Sequence, residues 1–236
     1  MSNIKTVLFD LDGTLLPMDE DLFTKLYFGA LAKVLAPHGY NPDELVKAIW
    51  AGTKSMVTND GSRTNYEAFW DTFCTLYGED AKKDMPLFDE FYAKYFSKAK
   101  EGCGYNPDAK KTVDFIKSKG MRVALATNPI FPATATEQRI SWAGFTPDDF
   151  EIYTTYENCH YCKPNPLYFS EVCEKLEVNP EECLMVGNDA DEDTAAEKLG
   201  IKVFLITDCL LNKHEKDISA YPQGSFKELM EYIDKL

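Results

Sequence analysis

The sequence has little positive charge for its length. It has 236 residues, of which 25 are Lys or Arg and 39 are Asp or Glu, so its formal net charge at pH 7 is -14. An acidic surface repels the phosphates of nucleic acids and of anionic lipids. We therefore expect neither a nucleic acid nor a membrane as a partner. A small phosphorylated molecule can still be held by local cations, helix N-termini and a bound metal.

Long apolar runs are also missing. No stretch reaches the roughly 18 apolar residues that a membrane-spanning helix needs. The beginning of the chain, MSNIKTVLFDLDGTLL, does not read as a secretory signal, because acidic residues interrupt its apolar run and no small-residue cleavage site follows. The seven cysteines are odd in number and scattered, which favours reduced thiols over a disulfide framework. These features predict a cytoplasmic protein.

The pattern of apolar residues divides the chain into two kinds of segment. Short apolar runs at 5–10, 121–127, 150–155, 183–187 and 202–207 alternate with helical patterns, which predicts an α/β fold with a doubly wound parallel sheet. Residues 20–100 instead show only helical periodicity, with stripes rich in aromatic side chains. We expect a core of residues 1–18 and 101–236, a helical insertion of residues 19–100, and aromatic stripes that serve mainly as helix-packing core.

A pair of acidic residues follows the first predicted strand. In FDLDGT, strand alternation would point Asp10 and Asp12 the same way, while Gly13 and Thr14 turn the chain away. Two neighbouring carboxylates repel each other unless a cation lies between them. A hard divalent cation with oxygen ligands, Mg²⁺ above all, suits such a pair.

Three further polar motifs follow other predicted strands. Thr127 and Asn128 end the strand MRVALAT and can donate hydrogen bonds to phosphate oxygens. Lys163, beside rigid prolines in KPNP, offers a well-placed positive charge. An acidic cluster, NDADED, follows the strand CLMVG and can complete a cation site. Ligands of open parallel sheets bind outside the carboxyl ends of the strands, so these motifs should converge there.

These four motifs, in this order and spacing, resemble those of the haloacid dehalogenase (HAD) superfamily. The resemblance implies a Rossmann-like core, a helical cap inserted after the first strand, Mg²⁺ dependence and an aspartyl-phosphate intermediate. It implies that Asp10 is the nucleophile and that Asp12 is the general acid and base, with Asp12 also binding Mg²⁺ through its backbone carbonyl. Thr127 and Lys163 would complete the catalytic set, and Asn128, Gly13 and Thr14 would belong to the phosphate-binding loops.

The fourth motif departs from the usual family pattern, in which Gly-Asp follows the strand directly. Here Asn188 follows Gly187. One alignment makes Asp189 the metal ligand, and the other gives that position to the amide oxygen of Asn188; both place Asp193 just outside the metal ligands. The full charge of a carboxylate favours Asp189.

The resemblance implies a phosphomonoester hydrolase that acts on a small phosphorylated metabolite. A phosphomutase of the same superfamily is an alternative, and a non-catalytic protein that binds phosphate is another of a different class. The sequence identifies neither the substrate nor the oligomeric state.

Overall fold

The computed structural model describes residues 4–236, so positions 1–3 of the predicted core lie outside the described residues. Its centre is a parallel sheet of five strands in the order β2-β1-β3-β4-β5. The strands are β1 Thr6–Phe9, β2 Arg122–Leu125, β3 Cys183–Gly187, β4 Lys202–Ile206 and β5 Gln223–Gly224. The first four are apolar and almost wholly buried, as a sheet covered on both faces requires.

Alternate residues of the strands enter two separate hydrophobic clusters, one on each face of the sheet. Val7, Phe9 and Val186 belong to the first cluster, whereas Leu8 and Met185 belong to the second. Because successive strand side chains point to opposite faces, each strand is anchored from both sides. This arrangement confirms the predicted α/β fold with a doubly wound sheet.

Residues 4–236 form eight α-helices. They are α1 Glu20–Leu35, α2 Pro42–Val57, α3 Asn65–Tyr77, α4 Met85–Lys94, α5 Pro107–Ser118, α6 Ala133–Trp142, α7 Pro166–Leu176 and α8 Phe226–Ile233. Several begin as the sequence indicates, with an Asn side chain that accepts hydrogen bonds from the first turn and a Pro at the first helical position. No helix of the described chain is both long and apolar enough to cross a membrane.

The segment between β1 and α5 is helical throughout. It contains α1 to α4 and three 3₁₀ segments, Ala36–His38, Glu79–Asp84 and Phe96–Gly102. The chain enters and leaves this insertion at neighbouring points, because Met18 and Cys103 form an antiparallel bridge and the amide of Asp19 donates to the carbonyl of Gly102 at 2.9 Å. The insertion packs directly on the core, where the rings of Phe96 and Trp142 stack with centroids 5.3 Å apart.

Two details of the predicted sheet are wrong. The run at 150–155 forms no named strand: its backbone makes three hydrogen bonds along the free edge of β2, but only a single bridge, between Leu125 and Tyr153, is regular. The sequence also gives no sign of β5, which has two residues and lacks an apolar run. Between β3 and β4, residues Asp193–Leu199 form a 3₁₀ helix.

Candidate active site

The polar motifs meet at the carboxyl ends of β1, β2 and β3. They surround a cavity of about 170 Å³, which we call the polar cavity. Of the residues singled out in the sequence, its lining includes Asp10, Asp12, Thr127, Asn128, Asn188, Asp189 and Asp193. Lys163 lies beneath this lining, and Gly13 and Thr14 form the turn behind it. The four motifs therefore converge, although they are separated by up to 183 positions in the sequence.

Lys163 forms the buried centre of the site. Its side chain is wholly inaccessible, and its Nζ donates to Asp10 Oδ1 at 2.9 Å and to Asp193 Oδ1 at 2.6 Å. Burial lowers the pKa of Lys163, but the two carboxylates raise it well above its usual range. The ammonium group therefore stays charged and joins the loop after β1 to the loop after β3.

The negative charge at Asp10 exceeds what Lys163 neutralises. Burial raises the pKa of Asp10 from 3.8 to about 7, Lys163 opposes this shift, and the neighbouring Asp193 and Asp12 add to it. Even with the guanidinium of Arg139 beside Asp12 counted together with Lys163, the three carboxylates leave a surplus of negative charge in a poorly solvated place. A further positive charge would hold Asp10 in its ionised form.

Asp12 is paired with Arg139, a residue that the sequence analysis missed. Arg139 lies in α6, is 1% exposed, and its guanidinium bonds to Asp12 Oδ2 and to the hydroxyl of Thr136. The same guanidinium lies 4.5 Å from the ring centroid of Phe131. Burial raises the pKa of Asp12, whereas Arg139 lowers it. The other carboxylate oxygen, Oδ1, is buried and has no partner.

The turn after Asp12 is held tightly against Asn188. Thr14 Oγ1 lies 3.2 Å from Asp10 Oδ2 and 3.0 Å from Asn188 Oδ1, and Asn188 Nδ2 donates to the carbonyl of Cys209 at 2.8 Å. Gly13 has a φ of +79°, and a Cβ on it would lie 2.2 Å from Asn188 Nδ2. Only glycine allows this close approach.

Asp189 and Asp193 organise the loop after β3. Asp189 Oδ1 accepts hydrogen bonds from the amides of Asp191 and Glu192 at 2.7 and 2.9 Å. Asp193 Oδ2 accepts from the amide of Asp189 at 3.0 Å, while its other oxygen binds Lys163. Asn188 is thus linked to Asp10 through the hydroxyl of Thr14, whereas Asp189 carries a full negative charge. Both alignments of this motif remain open.

Asn128 has a partner that the sequence did not indicate. Its Nδ2 lies 3.0 Å from each carboxylate oxygen of Glu192, and its Oδ1 is buried without a partner. Burial, together with the charges of Asp193 and Asp189, raises the pKa of Glu192 to about 8, although Lys163 opposes the shift. The amide of Asn128 is therefore engaged by the protein itself, while Thr127 is held through its carbonyl, which accepts hydrogen bonds from Thr154 and Tyr168.

The donors around the polar cavity fit a hard cation. The carboxylates and the side-chain amides of its lining offer oxygen ligands, Lys213 of the same lining is paired with Glu20, and the site has the surplus negative charge described above. The described residues contain no group of three or more His, Cys, Asp or Glu side chains that would hold a metal by themselves. Mg²⁺ does not need such a group, because it usually keeps several waters and binds through one or two carboxylates and the phosphate of a substrate. Asp10 with Asp189 or Asn188 matches that requirement.

A second cavity, of about 260 Å³, lies between the insertion and the core. We call it the apolar cavity. Ten of its seventeen lining residues are aromatic, and it shares Asp12, Glu20 and Ile130 with the polar cavity. The aromatic stripes of the insertion do form packing core, as expected, since Phe73, Phe91 and Phe96 are almost wholly inaccessible. Their neighbours also line this cavity.

Comparison with known proteins gives consistent matches. The model of the haloacid dehalogenase-like hydrolase family matches residues 4–207. A phosphoglycolate phosphatase from Nitrosospira multiformis is 27% identical over 209 residues, which cover 86% of this chain and 83% of that protein. A pyrophosphatase, PpaX, from Bacillus cereus is 22% identical and covers the same shares of the two chains.

The fold also matches solved structures. A HAD phosphatase from Thermococcus onnurineus superposes with a TM-score of 0.60 at 22% identity, and the match covers 98% of each chain. At this identity the superposition shows the fold alone. The family match extends over most of the sequence and includes the loops after β1, β2 and β3 that carry the polar motifs. The chain therefore belongs to the haloacid dehalogenase-like hydrolase family.

Proposed function

We propose that this protein is a Mg²⁺-dependent phosphomonoester hydrolase that acts on a small phosphorylated metabolite. The observation that carries the proposal is the position of Lys163, whose buried ammonium holds Asp10 at the edge of the polar cavity. A carboxylate fixed in this way, with one face open to a cavity, is suited to attack a phosphorus atom in line. The phosphatase and pyrophosphatase relatives agree with phosphoryl chemistry.

The proposed reaction has two steps. A carboxylate oxygen of Asp10 forms a bond to phosphorus as the bond from phosphorus to the ester oxygen breaks, which gives an aspartyl-phosphate and an alcohol. Water then attacks the same phosphorus and releases inorganic phosphate and the free Asp10 carboxylate. Lys163 offsets the repulsion between the Asp10 carboxylate and the phosphate dianion. Thr127 lines the cavity where the phosphoryl group would lie.

Asp12 is placed to move the proton in both steps. It lines the polar cavity and the apolar cavity, so it stands between the proposed phosphoryl position and the space for the leaving group. In the first step it would give a proton to the leaving oxygen, and in the second it would take one from the attacking water. Arg139 fixes the orientation of its carboxyl group.

The metal belongs to this proposal as a bound cofactor. Asp10 and either Asp189 or Asn188 would hold it, and the family resemblance adds the backbone carbonyl of Asp12. When bound, Mg²⁺ supplies positive charge for the transferring phosphoryl group.

The helical insertion would act as a cap over the site. Residues 19–100 cover the apolar cavity, so the substrate would enter a space shielded from bulk water. This arrangement favours a small molecule over a protein substrate. We further propose that the enzyme acts in the cytoplasm on a phosphate ester.

The test is the release of inorganic phosphate from p-nitrophenyl phosphate. Activity should require Mg²⁺, disappear with EDTA, and be lost in Asp10→Asn, because an amide cannot form the acyl-phosphate. Asp148→Asn, at an exposed position outside both cavities, is the matched control and should keep full activity. A beryllium trifluoride adduct should form on Asp10.

The alternatives give different results in the same experiments. A phosphomutase would transfer phosphate between sugar phosphates faster than it releases phosphate to water. A non-catalytic phosphate-binding protein would show no Mg²⁺-dependent turnover at all. Full activity of Asp10→Asn would refute the proposed nucleophile.

A further inference from the structure

The chemistry of the apolar cavity indicates what kind of leaving group it accepts. Its walls include Phe28, Trp50, Phe69, Tyr92 and Tyr156, which come from both the insertion and the core. An apolar cavity of about 150 Å³ is enough to bind benzene. The 260 Å³ found here therefore has room for one aromatic ring together with a short linker.

Polar groups in this cavity offer little to a hydrophilic leaving group. The hydroxyls of Tyr27 and Tyr92 are hydrogen-bonded to each other at 2.9 Å, and Thr53 Oγ1 donates to the carbonyl of Ile49. Trp70 Nε1 is buried without a hydrogen-bond partner and can donate one hydrogen bond. A leaving group with a single acceptor therefore fits better than a sugar, because each of its several hydroxyls would cost free energy if left unpaired.

The charges around the cavity are negative. Asp12 and Glu20 lie at the boundary shared with the polar cavity, and none of the described residues that line the apolar cavity is Lys, Arg or His. The guanidinium of Arg139, which stacks on Phe131, is already paired with Asp12. Glu20 is likewise paired, with Lys213 at 3.0 Å. A leaving group that carries a carboxylate would therefore meet two carboxylates and only cations that are already paired.

The position of the apolar cavity relative to Asp12 gives the geometry of the substrate. Asp12 borders both cavities, so a phosphate in the polar cavity would direct its ester oxygen past Asp12 and the rest of the molecule into the aromatic walls. We propose that the apolar cavity is the leaving-group subsite, and that it selects phosphate monoesters of uncharged alcohols that carry an aromatic ring. This inference rests on the proposed phosphatase function, and it excludes small carboxylated esters as preferred substrates.

Trp50 provides a way to test the subsite without damage to the core. It lies in α2 at the outer wall, is 53% exposed, and its ring centroid is 5.5 Å from that of Phe28. Trp50→Ala should remove part of the wall while leaving the fold intact. Tyr95→Ala is the matched control, since Tyr95 is an exposed aromatic residue of the same insertion that does not line the apolar cavity.

The decisive experiment compares 2-phenylethyl phosphate with ethyl phosphate. Both leaving groups are simple primary alcohols of similar basicity, so the comparison isolates the ring. We expect kcat/KM to be about 10- to 100-fold higher for the phenylethyl ester, as burial of a ring of this size allows. Trp50→Ala should lower kcat/KM for the phenylethyl ester about 10-fold more than for ethyl phosphate, and Tyr95→Ala should not alter the ratio of the two values. Phosphoglycolate should be hydrolysed more slowly than ethyl phosphate.

Three results would overturn the proposed subsite. They are equal kcat/KM values for 2-phenylethyl phosphate and ethyl phosphate, a preference for phosphoglycolate, and an equal loss of kcat/KM for both alkyl esters in Trp50→Ala. Calorimetric titration of the two esters into Asp10→Asn separates this result from a failure of the proposed function. Tighter binding of the phenylethyl ester that depends on Trp50, without turnover by the wild-type protein, would keep the subsite and reject the hydrolase. Equal binding of the two esters would reject the subsite whatever the turnover.

Discussion

The substitution Lys163→Met tests whether the buried lysine holds the site together. Lys163 has no accessible side-chain surface, and it lies between two carboxylates, Asp193 with 1% and Asp10 with 10% of the side chain exposed. Methionine keeps most of the apolar stem but removes the charge, so two buried carboxylates lose their common partner.

The expected loss of stability is large. Removing one member of a buried ion pair costs about 3–5 kcal/mol, because the remaining charge stays buried and unpaired. For a chain of this size, each kcal/mol lowers the melting temperature by about 2–4 °C, so the midpoint should fall by about 6–20 °C. The measurement is thermal and urea unfolding in EDTA, where no added metal can replace the missing charge.

Two further variants test whether the loss of stability in Lys163→Met comes from the unpaired buried charges. Lys94→Met removes an exposed lysine whose Nζ lies 2.8 Å from Glu90, and it should leave the unfolding midpoint unchanged. Asp193→Asn in the Lys163→Met background removes one of the two unpaired charges and should recover part of the loss. A decrease below about 1 kcal/mol for Lys163→Met, or no recovery in the double variant, would contradict the interpretation of Lys163 as an electrostatic support.

Two more predictions concern the loop after β3. Asp189→Ala should raise the Mg²⁺ concentration needed for half-maximal phosphatase activity far more than Asn188→Ala does. The reason is that a divalent cation gains more from a carboxylate ligand than from an amide ligand. The opposite order of the two variants would identify Asn188 as the ligand. Glu192 has a pKa of about 8 in the folded protein, whereas its usual value is 4.5. Between these two pH values the folded protein keeps a proton on Glu192 that the unfolded chain has lost. The free energy of unfolding therefore falls as the pH rises from 4.5 to 8. In EDTA, Glu192→Gln should therefore gain stability relative to wild type more at pH 8.5 than at pH 4.5, as measured by urea unfolding, and an equal difference at both pH values would refute the burial argument.

The sequence predicts the strands and their polar ends well because burial imposes a simple pattern. A run such as TVLF must be apolar when both faces of the sheet are covered, and the first polar residue after it marks the exposed end. The run at 150–155, FEIYTT, is also rich in aromatic and β-branched residues but lies at the free edge of β2, where only one regular bridge forms. Composition alone does not distinguish an edge segment of this kind from a full strand.

The sequence does not predict which residues form hydrogen bonds or ion pairs with the site residues, and the reason is different. Arg139 lies on an ordinary amphipathic helix, 127 positions from Asp12, and arginine in such a helix is usually exposed. Only the packing of α6 against the loop after β1 buries it. The pair formed by Asn128 and Glu192 likewise depends on the relative position of two loops, which no local pattern encodes.

The antiparallel bridge between Met18 and Cys103 has a consequence for how proteins of this kind can diversify. Because the chain leaves the core and returns at adjacent points, residues can be added to or removed from the intervening helices without stretching β1 or changing the register of its neighbours. The walls of the apolar cavity that come from the insertion can then vary in sequence and length while the loops around the polar cavity stay as they are. The bridge between Met18 and Cys103 thus lets the insertion change during evolution independently of the core.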